Sequence, residues 1–94
     1  MSIEVTEDED AGRYEVRVDG QLAGFADRTL RDGVMVLPHT VVDRAYRGRG
    51  LAAELVRRAL DDARAQDLKV VPSCWYVAQY IDEHPADQDL LADL

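Results

Sequence analysis

The stretch DRAYRGRG, residues 43–50, sets Arg44, Arg47 and Arg49 beside Gly48 and Gly50, directly ahead of an apolar helical pattern. A helix N-terminus carries unpaired N–H groups and the positive end of the macrodipole. Acidic side chains are the usual occupants of that position, so arginines there call for an anion. Gly48 and Gly50 let the backbone approach such an anion with no Cβ in the way. One reading is a phosphate cradle at a strand-to-helix turn. The other is a solvated basic loop with a glycine at the helix start. A P-loop is excluded, because no Lys-Ser/Thr pair follows a Gly-x4-Gly run. A dinucleotide fingerprint fits poorly, because Ala53 holds its third glycine position and the preceding strands form a meander.

Two further side chains could do chemistry. Cys74 is the single cysteine and falls in the first turn of an expected helix, where a thiol ionises more readily. The alternative is a small buried apolar residue. His39 could act as a general base, or could be half-buried and hydrogen-bonded within the sheet. Its neighbour Thr40 would face the opposite side of the strand. No His/Cys/Asp grouping has metal-ligand spacing, so no metal is expected.

The elements that must position these residues follow from periodicity. Residues 3–7 and 14–18 alternate as strands, and Asp19-Gly20 signals a hairpin into a return strand over 21–30. Asp32-Gly33 signals a second hairpin, into a mostly apolar fourth strand over 34–43. Pro38 lies within that strand and marks a bulge or an unpaired edge. Leu51, Ala52, Leu55, Val56, Ala59, Leu60 and Ala63 form one helical stripe, so a helix is expected to about Gln66. A short strand over 68–72 and a second helix over 74–83, capped by Ser73, come next. His84-Pro85 stops that helix, and residues 86–94 form a short helix or a frayed end. The order is β-β-β-β-α-β-α, an α+β arrangement in which strands four and five run parallel if they are neighbours.

The 94 residues suit one domain, residues 1–94, around one core. Net charge is −8, which opposes binding to nucleic acid or to an anionic membrane surface and suits a cationic partner such as an amine. Residues 4–10 hold five acids and no base, and no Lys or Arg follows Lys69. The single cysteine, an acidic N-terminus without a long apolar run, and the absence of any stretch of about 18 apolar residues suggest a cytoplasmic protein.

The run VVDRAYRGRGLAAELVRRAL resembles the acetyl-CoA signature of the GNAT N-acetyltransferase superfamily. Its core, Arg/Gln-x-x-Gly-x-Gly/Ala, is matched by Arg47, Gly50 and Ala52. HTVVD before it and VVPSCWYVAQYIDEHPA after it resemble the small one-domain GNAT-like acetyltransferases, and the likeness spans roughly residues 3–90. The resemblance implies a GNAT-like (acyl-CoA N-acyltransferase) fold, with strands four and five splayed around the thioester arm of acetyl-CoA. It implies that backbone groups at Val41 and Val42 pair with the pantetheine. Backbone N–H groups over Arg47, Gly48, Arg49, Gly50, Leu51 and Ala52 would hold the pyrophosphate. An exposed N–H on the fourth strand would polarise the thioester carbonyl. Cys74 becomes a candidate nucleophile through an acetyl-Cys intermediate, and Tyr80 a candidate acid for the departing thiolate, with Tyr76 as its rival in register. Trp75 reads as core or pocket wall. The acceptor would be a primary amine, on a small molecule or a protein lysine, while the sequence leaves the oligomeric state open. The alternative is a non-catalytic CoA- or acyl-CoA-binding module that regulates a partner.

Overall fold

Apolar residues alternate along the early strands and recur at helical spacing after Gly50, so the chain has one sheet face and one helix stripe to bury against each other. In the computed structural model, which describes residues 2–92, they do so. Strands β1 (Ile3–Asp8), β2 (Arg13–Val18) and β3 (Gln21–Asp27) form an antiparallel meander. Strands β4 (Thr29–Arg31), β5 (Val34–Val36) and β6 (Thr40–Val42) follow, then helix α1 (Leu51–Ala65), strand β7 (Lys69–Val71) and helix α2 (Trp75–Asp82). A 3-10 turn at Arg44–Tyr46 precedes α1, and another at Pro85–Leu90 follows α2. Leu91 then bridges to Val70 on β7. Residues 93 and 94, the end of the expected terminal helix or frayed tail, lie outside the described residues.

The strands make two sheets, ordered β1-β2-β3-β6 and β4-β5-β7. β6 pairs antiparallel with β3, whereas β5 pairs parallel with β7. The expected fourth strand over 34–43 is therefore two strands belonging to different sheets. Pro38 stands at the break, where it has no N–H to continue the ladder with β7. The expected return strand over 21–30 is likewise divided. Arg28 turns the corner between β3 and β4, its N–H bonded to Gly12 O at 2.9 Å and its guanidinium to Glu7 at 2.7 Å.

Tyr14, Val16, Val18, Ala23 and Ala26 from the first sheet are buried with Leu51, Leu55, Val56, Ala59, Leu60 and Ala63 of α1. Met35, Leu37 and Val70 of the second sheet continue the same cluster to Val77 and Ile81 of α2. Tyr14 adds a polar tie across the layers, its hydroxyl donating to Asp62 at 2.9 Å. Among the described residues, no helix is long and apolar enough to cross a membrane.

Candidate active site

The site begins at the point where the two sheets part. Leu37 N–H donates to Val71 O at 3.0 Å, and Leu37 O accepts from Cys74 N–H at 3.0 Å. Beyond Leu37 the chain turns away at Pro38 and joins β3, where Asp27 N–H bonds to His39 O at 2.9 Å. β6 and the start of α2 therefore diverge from a common pin. The gap between them is a cavity of about 520 Å³ lined by Thr40, Val41 and Val42 on one wall and Cys74, Trp75 and Tyr76 on the other, with Arg47 and Ala52 at its end. β6 is an edge strand, so one side of its backbone faces this gap unpaired.

At its α1 end the gap meets a smaller cavity of about 150 Å³, which shares Val42, Arg47 and Ala52 and adds Gly48, Gly50 and Leu51. Gly48 and Gly50 have φ of +83° and +73°, a region where a side chain costs strain. Gly50 is the N-cap of α1 and offers no side chain to its N–H groups; the first to bond back is that of Glu54, to Gly50 O at 3.2 Å. The end of α1 is thus open to an anion, with exposed arginines beside it. These residues fit a pyrophosphate joined to an extended arm running along β6 toward Cys74. Arg49 lies over the Tyr46 ring at 5.5 Å and does not line either cavity.

Cys74, and not the expected Ser73, caps α2. Its bond to Leu37 O holds it extended (φ −81°, ψ 130°), so the helix starts at Trp75 and Ser73 is exposed. Burial pushes the Cys74 thiol up. That effect is outweighed by N–H groups of Val77 and Tyr76 and by the hydroxyl and N–H of Thr40, which together bring it below the ordinary thiol value.

The lining of the gap also distinguishes the two tyrosines. Tyr76 lines the cavity with Cys74, whereas Tyr80 lies four residues farther on, about 6 Å along the axis, and does not line it. Tyr80 belongs to a separate groove between α1 and α2, where its ring stacks on His84 at 3.9 Å. Tyr76, and not the expected Tyr80, thus faces the Cys74 cavity. Burial raises the pKa of both phenols, so each keeps its proton near neutrality. His39 is exposed and does not line the Cys74 cavity: strand alternation turns Thr40 inward and His39 outward. Trp75 is 74% exposed, a wall of both openings and not a core residue. Among the described residues, no group of three metal-ligating side chains is present.

The profile described as GCN5-related N-acetyl-transferase matches residues 13–90. The chain belongs to this family. It is 37% identical to Protein NATD1 of Gallus gallus over 90 residues, covering 94% of this chain and 82% of that protein. The fold is similar to the solution structure of a GCN5-like protein from Staphylococcus aureus, with a TM-score of 0.74, 19% identity, and coverage of 97% of this chain and 89% of that one. It is also similar to a Mycobacterium tuberculosis protein crystallised in complex with CoA, with a TM-score of 0.63, 19% identity, and coverage of 82% and 50%. The GNAT-like α+β fold is thus the family's own. The parting of β6 from β7 and α2 and the open end of α1 are where this chain displays it.

Proposed function

We propose that the chain transfers an acetyl group from acetyl-CoA to a primary amine, and that Cys74 carries the group between the two. The observation that carries this reading is the position of Cys74, at the head of a gap whose far end is an uncapped helix N-terminus flanked by arginine. Family membership and the CoA bound by the M. tuberculosis protein support it.

Backbone N–H groups from Arg47 to Ala52, with the Arg47 side chain, hold the pyrophosphate. The free edge of β6 at Val41 and Val42 aligns the arm. The Cys74 thiolate forms a bond to the thioester carbonyl carbon, the bond from that carbon to the CoA sulfur breaks, and the departing thiolate takes the Tyr76 hydroxyl proton. The amine nitrogen then bonds to the acetyl carbon, Cys74 leaves as thiolate, and the Tyr76 phenolate takes the proton lost by nitrogen. The acidic surface favours a cationic acceptor, a small amine or a lysine side chain.

The test is intact-mass analysis after incubation with acetyl-CoA. The expected result is one added acetyl group, removed by hydroxylamine, absent in Cys74→Ala, and discharged by one member of an amine panel. Amine acetylation at full rate by Cys74→Ala would end the covalent reading. Saturable acetyl-CoA binding in calorimetry, with neither acetyl-cysteine nor any acetylated amine, would instead assign the chain as a CoA-binding module.

A further inference from the structure

We propose that Thr40 is a positioning residue, whose buried hydroxyl donates to the Cys74 sulfur across the closed end of the gap and fixes it as a nucleophile. Among the described residues, Thr40 Oγ1 is the buried side-chain polar atom left without a hydrogen-bond partner. A solvent-excluded hydroxyl is normally paired, and one that is not points to a partner in another state of the site. Thr40 opens β6 and shares its cavity with Cys74, so the chemistry available to the hydroxyl is the sulfur.

A protonated thiol is a weak acceptor, and the hydroxyl gains little from it. A thiolate is a strong acceptor, and the same hydroxyl then donates a charge-assisted bond. The orphaned oxygen of the resting thiol thus becomes a satisfied donor on ionisation. Thr40 on β6 and Cys74 at the start of α2 face the same cavity from its two walls. The N–H groups of Tyr76 and Val77 favour the thiolate from the α2 side, and Thr40 favours it from the β6 side. Threonine suits the task because β-branching restricts its χ1, whereas serine would rotate freely. The titratable and charged groups sharing this cavity are Arg47, from the turn before α1, and Tyr76 of α2; β6 contributes only Thr40, Val41 and Val42.

The inference deepens the reading of Cys74 as nucleophile, and rests on it for its catalytic meaning. The thiolate itself is a property of the free chain, so its test needs no acetyl-CoA. Cys74 is the only cysteine, so iodoacetamide reports on it alone. The rate of alkylation is followed against pH for the wild type, Thr40→Val, Thr40→Ala and Thr40→Ser, with thermal unfolding measured beside it. The wild type is expected to titrate below the ordinary thiol value of about 8.5. Thr40→Val and Thr40→Ala should titrate higher and react roughly five- to tenfold more slowly near neutral pH, with folding retained, and Thr40→Ser should recover most of the loss. A folded Thr40→Val or Thr40→Ala protein whose profile superimposes on the wild type overturns the proposal. So does a wild-type midpoint at or above the ordinary value, whether or not any variant folds. A low wild-type midpoint raised in Thr40→Val, in a protein that never becomes acetylated, upholds the Thr40 assignment while ending the acetyl-cysteine reading.

Discussion

Gly24 does not line the gap, yet it packs directly behind the strand that forms one wall of it. It lies in β3 opposite Val42 of β6. A Cβ built there would stand 2.5 Å from Val41 O, 3.1 Å from Val42 Cα and 3.3 Å from Val42 Cγ2. Two of these atoms are backbone, so no side-chain rotation relieves the contact. Carbon and carbonyl oxygen normally stay about 3.3 Å or more apart, so the strands must separate by the better part of an ångström. β6 will be the one to move, because it is held by three residues of pairing on one edge, whereas β3 is also paired along β2. Overpacking of this kind costs about 1–3 kcal/mol. The lower chain entropy of unfolded Ala returns about 0.4–1 kcal/mol. A net loss of about 1–2 kcal/mol corresponds to a fall in Tm of roughly 4–16 °C for a domain of this size. Gly24→Ala should therefore melt lower by circular dichroism and bind CoA more weakly by calorimetry, since Val41 and Val42 form the wall of the gap. Gly20→Ala is the control. Gly20 has φ +84° and open space around its Cβ position, so its cost is local strain in a distant hairpin and CoA binding should be unchanged. Wild-type melting of Gly24→Ala, or reduced melting with undiminished binding, would refute the claim that Gly24 sets the wall.

Three other perturbations have definite expected outcomes. Arg47→Ala should weaken acetyl-CoA binding by roughly ten- to a hundredfold, as expected for one charge-assisted contact, and the deficit should shrink as salt is raised; a salt-independent deficit would point to lost packing instead. Tyr14→Phe removes the 2.9 Å bond to Asp62 but leaves Asp62 its Arg58 partner, so unfolding by urea should show a loss of about 1–2 kcal/mol, nearly absent when Asp62 is already Ala. Glu15 is clamped by Arg13 and Arg17 at 2.7 Å and 2.9 Å, which hold its carboxyl below its ordinary value of 4.5. Its contribution is complete above that unfolded value and disappears as pH falls through the lower folded value. Glu15→Gln should therefore flatten the acid limb of a Tm-against-pH curve below about pH 4.5, and an unaltered limb would show that the clamp adds no stability.

How much of this was legible beforehand depended on whether the deciding interaction was local. Asp19-Gly20 and Asp32-Gly33 were readable as hairpins, and all four residues do have positive φ. The α1 stripe was readable because its burial follows from one helical period; Ala52, expected on the stripe, lines the gap at the first turn. The run over 34–43 was not readable as two strands. Both halves are extended and apolar, and the choice between β7 and β3 as partner is made by tertiary pairing. Pro38 was the one local signal, and it marked the break without saying that the sheet would change. Gly24 gave no signal, since a close backbone approach leaves no periodic trace. That Tyr76 and not Tyr80 faces the Cys74 cavity depends on how α2 docks, and its start is tied by the bond between Leu37 and Cys74, which are remote in sequence. Strand alternation did place Thr40 opposite His39. What it could not show was that the Thr40 hydroxyl would have no other partner.

That bond places Leu37 at the centre of the design. Its N–H and C=O hold β7 and the cap of α2, its side chain is 1% exposed, and the next residue is the proline that sends the chain to the other sheet. Because Cys74 is tied to Leu37 O, and Thr40 lies three residues beyond Leu37, the thiol and the hydroxyl are positioned from the same anchor. A ligand arm entering between β6 and α2 can go no deeper than this point, where the last inter-strand bonds close the gap. The depth of the cavity is thus fixed by backbone hydrogen bonds. Side chains then decide what stands at its two ends: the Cys74 thiol at one, and at the other an open helix terminus with arginine beside it. Because Pro38 lacks the N–H that would extend the ladder with β7, and β6 pairs with β3 instead, the backbone itself holds open the gap that runs from the first turn of α1 to Cys74.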